Sequence, residues 1–457
     1  MAAYGWRVVL VALVVAVAWA AGAAAQEGPA EGGQPAAAAE EGPTRPRLSF
    51  GLEAKAHLRD SDSNRFPVRF PPEAMLPPGF QGFLETVDDG SHLELSVVTL
   101  FADAHWGESL AAHLKVDFID LYDRNPTSED HRVDVDEAWL RFGRAWEPAA
   151  VSERAGAYLK VGKMPHFERQ NDRHLESYGL VSTAFNRFED FGLELGVDLR
   201  YVYFVASATQ GNPVFIRDPN ALAGDNGTPA AIRPEPPLIG SGILILYDAE
   251  VEDLDLDGEL ELGAGLGFRW SDAEGKNGFD LLAWGYERKL AETVAFEGTI
   301  YGGDLDLLRG PFDVAPFPFE GDEKREAGAN LWLYLGGFTF FGQYVDQDLG
   351  GLPRTGFEAE AAWSLDLPLV WAVAGRQVLP FVAPAVRFSR LDPDFRAHPL
   401  SPSPSFSWEW DKLDYGVRLG LIEDVDLTAE FADNTFTLAS GREVSNDELL
   451  VTLRWRR

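Results

Sequence analysis

The densest run of chemically capable side chains lies between residues 163 and 190. Lys163-Met164-Pro165-His166-Phe167-Glu168-Arg169-Gln170-Asn171-Asp172-Arg173-His174 interleaves bases, acids and imidazoles, and Arg187-Phe188-Glu189-Asp190 closes the run. Metal binding needs three or four ligands in a fixed spacing, and His166 and His174 have no evident third ligand. Asp253-Leu254-Asp255-Leu256-Asp257-Gly258 imitates the start of a calcium loop, but its twelfth position is Ala264, where a bidentate Glu is required. No G-x-S-x-G, H-E-x-x-H or Gly-rich phosphate loop occurs. The chain therefore reads as a non-enzyme with no metal and no cofactor. Sorting ions at a narrow passage needs only fixed charges of both signs beside the path. The expected constriction sets Lys163, Arg169, Arg173 and Arg187 across from or beside Glu168 and Asp172. A solvated surface loop with internally paired charges explains the same residues about as well.

The flanking elements decide what such a loop could do. From Arg47 the apolar period is two: Leu48, Phe50, Leu52, Ala54, Ala56 and Leu58 alternate with polar or small residues. Side chains of a strand point alternately to its two faces. The pattern returns at 191–199, 260–268, 413–421 and 425–431, with glycines and charges on the polar face. Segments of ~10 residues, tilted by ~45°, span about 23 Å, close to the apolar band of a transmembrane barrel. Strands are expected at 47–58, 91–105, 109–122, 133–143, 155–163, 191–199, 201–210, 238–249, 257–270, 277–290, 293–303, 325–335, 338–347, 355–366, 377–389, 409–421, 425–433 and 445–455. That makes eighteen, with sixteen as the rival count. Long connections are expected at 59–90, 123–132, 164–190, 211–237, 271–276, 304–324, 348–354, 390–408 and 434–444, alternating with short turns. Trp106, Tyr122, Trp146, Tyr201, Trp270, Tyr301, Trp408 and Trp455 stand near strand ends, where interfacial girdles would place them. Pro380 and Pro384 fit a strand poorly, because proline cannot donate to the ladder.

The first 25 residues read as a secretory signal: Arg7, an apolar run from Val8 to Ala21, and Ala23-Ala24-Ala25 before the cleavage point. Residues 26–46, rich in Ala, Gly, Pro and Glu, read as a disordered periplasmic leader. Net charge is −34, so nucleic acid is excluded as a partner for want of a basic field. No cysteine is present, and a closed barrel needs no disulfide staple. The resulting expectation is an all-β, transmembrane antiparallel β-barrel over 47–457, with about 16–18 strands, short periplasmic turns and long extracellular loops. The loop at 164–190 would narrow it. Outer-membrane lipid and small polar or ionic solutes are its expected partners, and passive diffusion through the bacterial outer membrane its expected role. The competing expectation is a secreted or periplasmic soluble all-β binding protein.

Val135-Asp136-Glu137-Ala138-Trp139-Leu140, followed by Tyr158-Leu159-Lys160-Val161-Gly162-Lys163-Met164-Pro165 and then Phe191-Gly192-Leu193-Glu194-Leu195, resembles the phosphate-selective porin O/P family over roughly 130–200. The resemblance implies a sixteen-stranded porin, a homotrimer, and an anion-selective pore lined by basic residues. Residues expected to line the pore are Lys55, Lys115, Lys160, Glu194, Arg269 and Arg418. On the clearest polar faces, however, seven bases (Lys55, Lys115, Lys160, Arg269, Lys412, Arg418, Arg454) meet thirteen acids (Glu53, Glu94, Asp117, Glu194, Asp198, Glu259, Glu261, Glu297, Glu326, Glu358, Glu360, Asp414, Glu430). Acidic rings favour cations, so the expected selectivity is a weak cation preference rather than a preference for phosphate.

Overall fold

The structure, a computed structural model, describes residues 47–61, 65–68, 82–85, 90–107, 109–119, 133–144, 155–170, 173–177, 179–185, 189–211, 260–289, 323–367, 372–373, 375–394, 409–437, 441 and 443–457. The expected signal peptide and leader lie outside them.

Each alternating segment becomes a strand: β1 (Arg47–Ser61), β2 (Gly90–Trp106), β3 (Leu110–Ile119), β4 (Val133–Gly143), β5 (Gly156–Pro165), β6 (Glu189–Asp198), β7 (Val202–Thr209) and β8 (Glu261–Ser271). There follow β9 (Asn277–Lys289), β10 (Glu323–Leu335), β11 (Phe338–Leu349), β12 (Leu352–Trp363), β13 (Phe381–Pro393), β14 (Glu409–Ile422), β15 (Val425–Thr437) and β16 (Glu443–Arg456). Each strand pairs antiparallel with the next, and β1 pairs with both β2 and β16, so the sheet closes. The sheet has 17 strand segments, of which Leu365–Asp366 prolongs β12 along β13, leaving sixteen strands. Closure removes every free edge, which a sheet in hydrocarbon must do.

The described residues give sixteen strands, the lower of the two expected counts. The expected strands at 238–249 and 293–303 lie outside the described residues. β7 pairs directly with β8, from Thr209–Glu261 to Val202–Phe268, and β9 pairs directly with β10. The segment 271–276, expected as a long outer connection, thereby moves to the other rim. It is the β8–β9 turn, closed by Asp272 accepting hydrogen bonds from the amides of Lys276 and Asn277. The expected long connection at 348–354 is also corrected. It is a two-residue turn at Gly350-Gly351, with φ of 61° and 89°, the positive values that a type I′ hairpin requires at both positions. Pro384 sits where the β12–β13 ladder is interrupted, between Ala362–Ala385 and Leu365–Val382, so its missing N–H breaks no bond on that side.

Burial is inverted relative to a soluble protein. Arg59, Glu358, Arg387 and Asp414 are at most 1% exposed, whereas Phe50 and Leu93 are each 77% exposed. The outward row is a continuous apolar surface that includes Leu58, Leu193, Leu266, Phe357 and Leu453. Such a surface is stable against lipid and not against water. Among the described residues no helix is long and apolar enough to cross a membrane.

Candidate functional site

β5 ends at Pro165 and β6 begins at Glu189. The segment between them does not return directly. It runs along the inward face, touching strands far from its origin. At Glu168 the carboxylate accepts from the Tyr286 hydroxyl of β9, and the carbonyl accepts from the Asn330 amide of β10. The His174 amide donates to Glu360 of β12 at 2.8 Å, and its Nε2 lies 3.3 Å from the Thr339 hydroxyl of β11. The amides of Glu176 and Ser177 donate to the Glu430 carboxylate of β15 at 2.7 and 2.6 Å. Ser177 Oγ donates to Asp414 of β14 at 3.0 Å, and its carbonyl accepts from Arg387 of β13 at 2.7 Å. Glu176 then meets three cations: Lys55 of β1 at 3.0 Å, Arg418 of β14 at 2.7 Å and Arg454 of β16 at 3.8 Å.

Apolar packing completes the attachment. A short helix α1 (Leu180–Ala184) presents Leu180, Val181 and Ala184, which with Phe185 pack on inward Trp284, Tyr286, Val345, Leu391, Trp410 and Phe436. Gly356 admits the Phe185 ring: a Cβ there would lie 2.4 Å from it. The Val181 amide donates to Glu358 at 3.3 Å. Burial alone would raise the Glu176 carboxyl, but the Lys55, Arg418 and Arg454 cations hold it at about 2.

The expected constriction residues are distributed as follows. Arg169 pairs with Glu189, and Glu168 accepts from the Tyr286 hydroxyl. Lys163 pairs in register with Ala138 and Phe191, the outward row, while its ammonium lies 3.7 Å from Asp134. Arg173 is half-buried next to His174. Asp172 and Arg187 lie outside the described residues. Among the expected lining residues, Lys55 and Arg418 converge on Glu176. Lys160 and Tyr158 both hold Glu194, at 2.9 and 2.8 Å. Lys115 pairs with Asp136, and Arg269 with Asp198. The imidazole of His166 stands 3.6 Å from Glu168.

Sequence reasoning missed Glu176, Ser177 and Arg387 as the ties between this segment and the wall. Arg387 alternates with Val386 and Phe388, so period two could have found it. Glu176 carried no such signal, because its partners are 121 to 278 residues away in sequence, at Lys55, Arg418 and Arg454.

The two halves of the wall differ in access to water. Side chains facing the segment are sealed: Arg387 and Asp414 are fully buried and Glu360 nearly so. The inward charges of β2–β5 keep more exposure, 38% for Asp103, 28% for Asp134 and 22% for Lys115. On that side Asp136, Glu137 and Glu189 bring carboxylate oxygens within 4.8 Å of one another. His113 bonds Asp103 at 2.7 Å and stacks on Trp139 with centroids 5.2 Å apart.

No family model and no curated protein matches the sequence. Among solved structures, the outer membrane channel DcaP of Acinetobacter baumannii is similar over 90% of this chain and 98% of its own, at 9% identity and a TM-score of 0.50. Pseudomonas putida OprB at high pH is similar over 90% and 94%, at 10% identity and a TM-score of 0.48. Salmonella typhi OmpF in complex with daunomycin is similar over 90% and 97%, at 8% identity and a TM-score of 0.46. At these identities the likeness is one of fold, and the chain has the closed, sixteen-stranded antiparallel barrel of an outer-membrane channel.

Proposed function

We propose that the chain is an outer-membrane pore for passive diffusion of small polar or ionic solutes, narrowed by its 166–188 connection. The observation that carries this reading is the inversion of burial: charges inside, bare apolar side chains outside, on a ladder with no open edge. A soluble all-β binding protein would need the reverse, with its apolar row enclosed.

The passage runs beside β2–β5, the side that the connection leaves wet. Inward acids there are Asp103, Asp117, Asp134, Asp136 and Glu137, against the bases Lys115, Arg141 and Lys160. Elsewhere several wall charges are paired, as with Lys324–Glu261 at 2.8 Å and Arg454–Asp426 at 2.7 Å. The unbalanced remainder is acidic, which supports a weak cation preference and argues against phosphate as the favoured solute. Location in the outer membrane after signal-peptide cleavage, and assembly as a homotrimer, belong to the same proposal. Reversal potential across a planar bilayer under a KCl gradient tests it. A modest cation-selective offset is expected, and a clear anion-selective offset would overturn the selectivity.

A further inference from the structure

Near the short-turn rim lies a cavity of about 610 Å³, within the range of small-molecule sites, roughly 300–1,000 Å³. Tyr158, Phe167, Tyr203, Trp332 and Tyr334 contribute rings to it. Two of these rings lie along the wall rather than across the lumen. The Cβ that Gly196 lacks would come within 2.0 Å of the Tyr158 ring, and that of Gly267 within 2.0 Å of the Tyr203 ring. A tyrosine over a cross-strand glycine is held flat, as a platform.

The charges of the cavity are matched. Arg269 bonds Asp198 and stands opposite Asp280 in the β8–β9 ladder. The Tyr203 hydroxyl donates to Asp280 at 2.7 Å. Arg169 pairs with Glu189, and Lys276 with Glu274 at 3.0 Å. Every cation here has a carboxylate partner, so no surplus positive charge is offered to an anion. What the cavity offers instead is ring faces and hydrogen-bonding groups side by side.

We propose that this cavity binds a neutral, hydroxylated ring of the monosaccharide class. Its C–H face stacks on the tyrosine and tryptophan rings, and its hydroxyls exchange hydrogen bonds with Asp280, Asn277 and Tyr334. The proposal rests on the pore reading, since the site is reached through the lumen. Calorimetric titration of the detergent-refolded chain with methyl glucoside, methyl glucuronide and the methyl glycoside of glucosamine tests it. The three share one ring and differ in charge. The neutral glycoside is expected to bind, with the anion about tenfold weaker or worse. Trp332→Ala is expected to abolish binding, and Trp332→Phe to retain it. If Trp332→Ala fails to refold, Tyr334→Ala carries the same comparison. Equal affinity for either charged glycoside, or undiminished binding in the alanine variant, overturns the proposal. A chain that conducts ions but binds no glycoside defeats this site and leaves the pore standing. A chain that binds the glycoside but never conducts defeats the pore and leaves the site.

Discussion

Glu176 is the residue on which the inner segment turns. Its carboxylate joins β1, β14 and β16 to a segment that leaves the wall at β5. Neutralising it would leave Lys55 only Glu53, at 3.5 Å, and Arg418 and Arg454 sharing the one carboxylate of Asp426, and breaking a buried pair costs about 3–5 kcal/mol. Glu176→Gln is therefore expected to lower stability by about 3 kcal/mol in urea unfolding from lipid or detergent. The pH dependence follows from the direction of the shift. A folded carboxyl held at about 2 lies below the ordinary glutamate value of roughly 4.3. Its contribution is complete above that ordinary value and fades as pH falls towards 2. The gap between wild type and Glu176→Gln should persist at pH 5 and close near pH 2. A gap that closed above pH 5 would contradict the assignment. Arg387 makes a second such tie, to Asp414 at 2.9 Å and to the Ser177 hydroxyl at 2.6 Å. Arg387→Met leaves Asp414 only Lys412, at 3.2 Å, and the Ser177 hydroxyl, takes the cation from beside Glu360, and should cost about 3 kcal/mol in the same assay.

At the scale of elements, the glycines of the polar rows have a packing role. Sequence alternation showed them as small residues facing inward, which alone suggested only a wet interior. In the structure several of them underlie aromatic rings: Gly196 under Tyr158, Gly267 under Tyr203, Gly263 under Tyr286, and Gly328 under Trp284. Gly267→Ala is expected to displace the Tyr203 ring, at the cost of overpacking, about 1–3 kcal/mol. Urea midpoints for Gly267→Ala and for Gly342→Ala give the comparison, since a Cβ at Gly342 would meet only the edge of the Phe340 ring, at 3.2 Å. Strands were legible because period two survives wherever one face meets lipid. Leu413, Tyr415, Val417 and Leu419 show it plainly in β14. The pairing order was not legible, because alternation reports a capacity to form strand and says nothing of which neighbour will pair: β7 pairs directly with β8, and β9 with β10. The β8–β9 turn was put on the wrong rim for that reason alone.

On the scale of the whole molecule, the sequence conveyed the wall better than its contents. A repeated local pattern specifies a barrel. The path of the inner segment depends on contacts between residues hundreds of positions apart, which leave no periodic trace. The charged run at 163–174 was visible as chemistry, yet its partners were not. Arg169 meets Glu189, Glu168 meets Tyr286, and the strongest ties come from Glu176 and Ser177 beyond the run. Charge balance shows the same division. Counting acids and bases along the strands measures the wall, whereas selectivity depends on those charges that the segment leaves in water.

The most direct measurement is single-channel conductance of the refolded chain beside a variant lacking residues 173–185. If a water-filled barrel is narrowed by this segment, both conduct and the shortened chain conducts more. Equal conductance in the two, or no conductance in either while both migrate as folded barrels, would contradict the account.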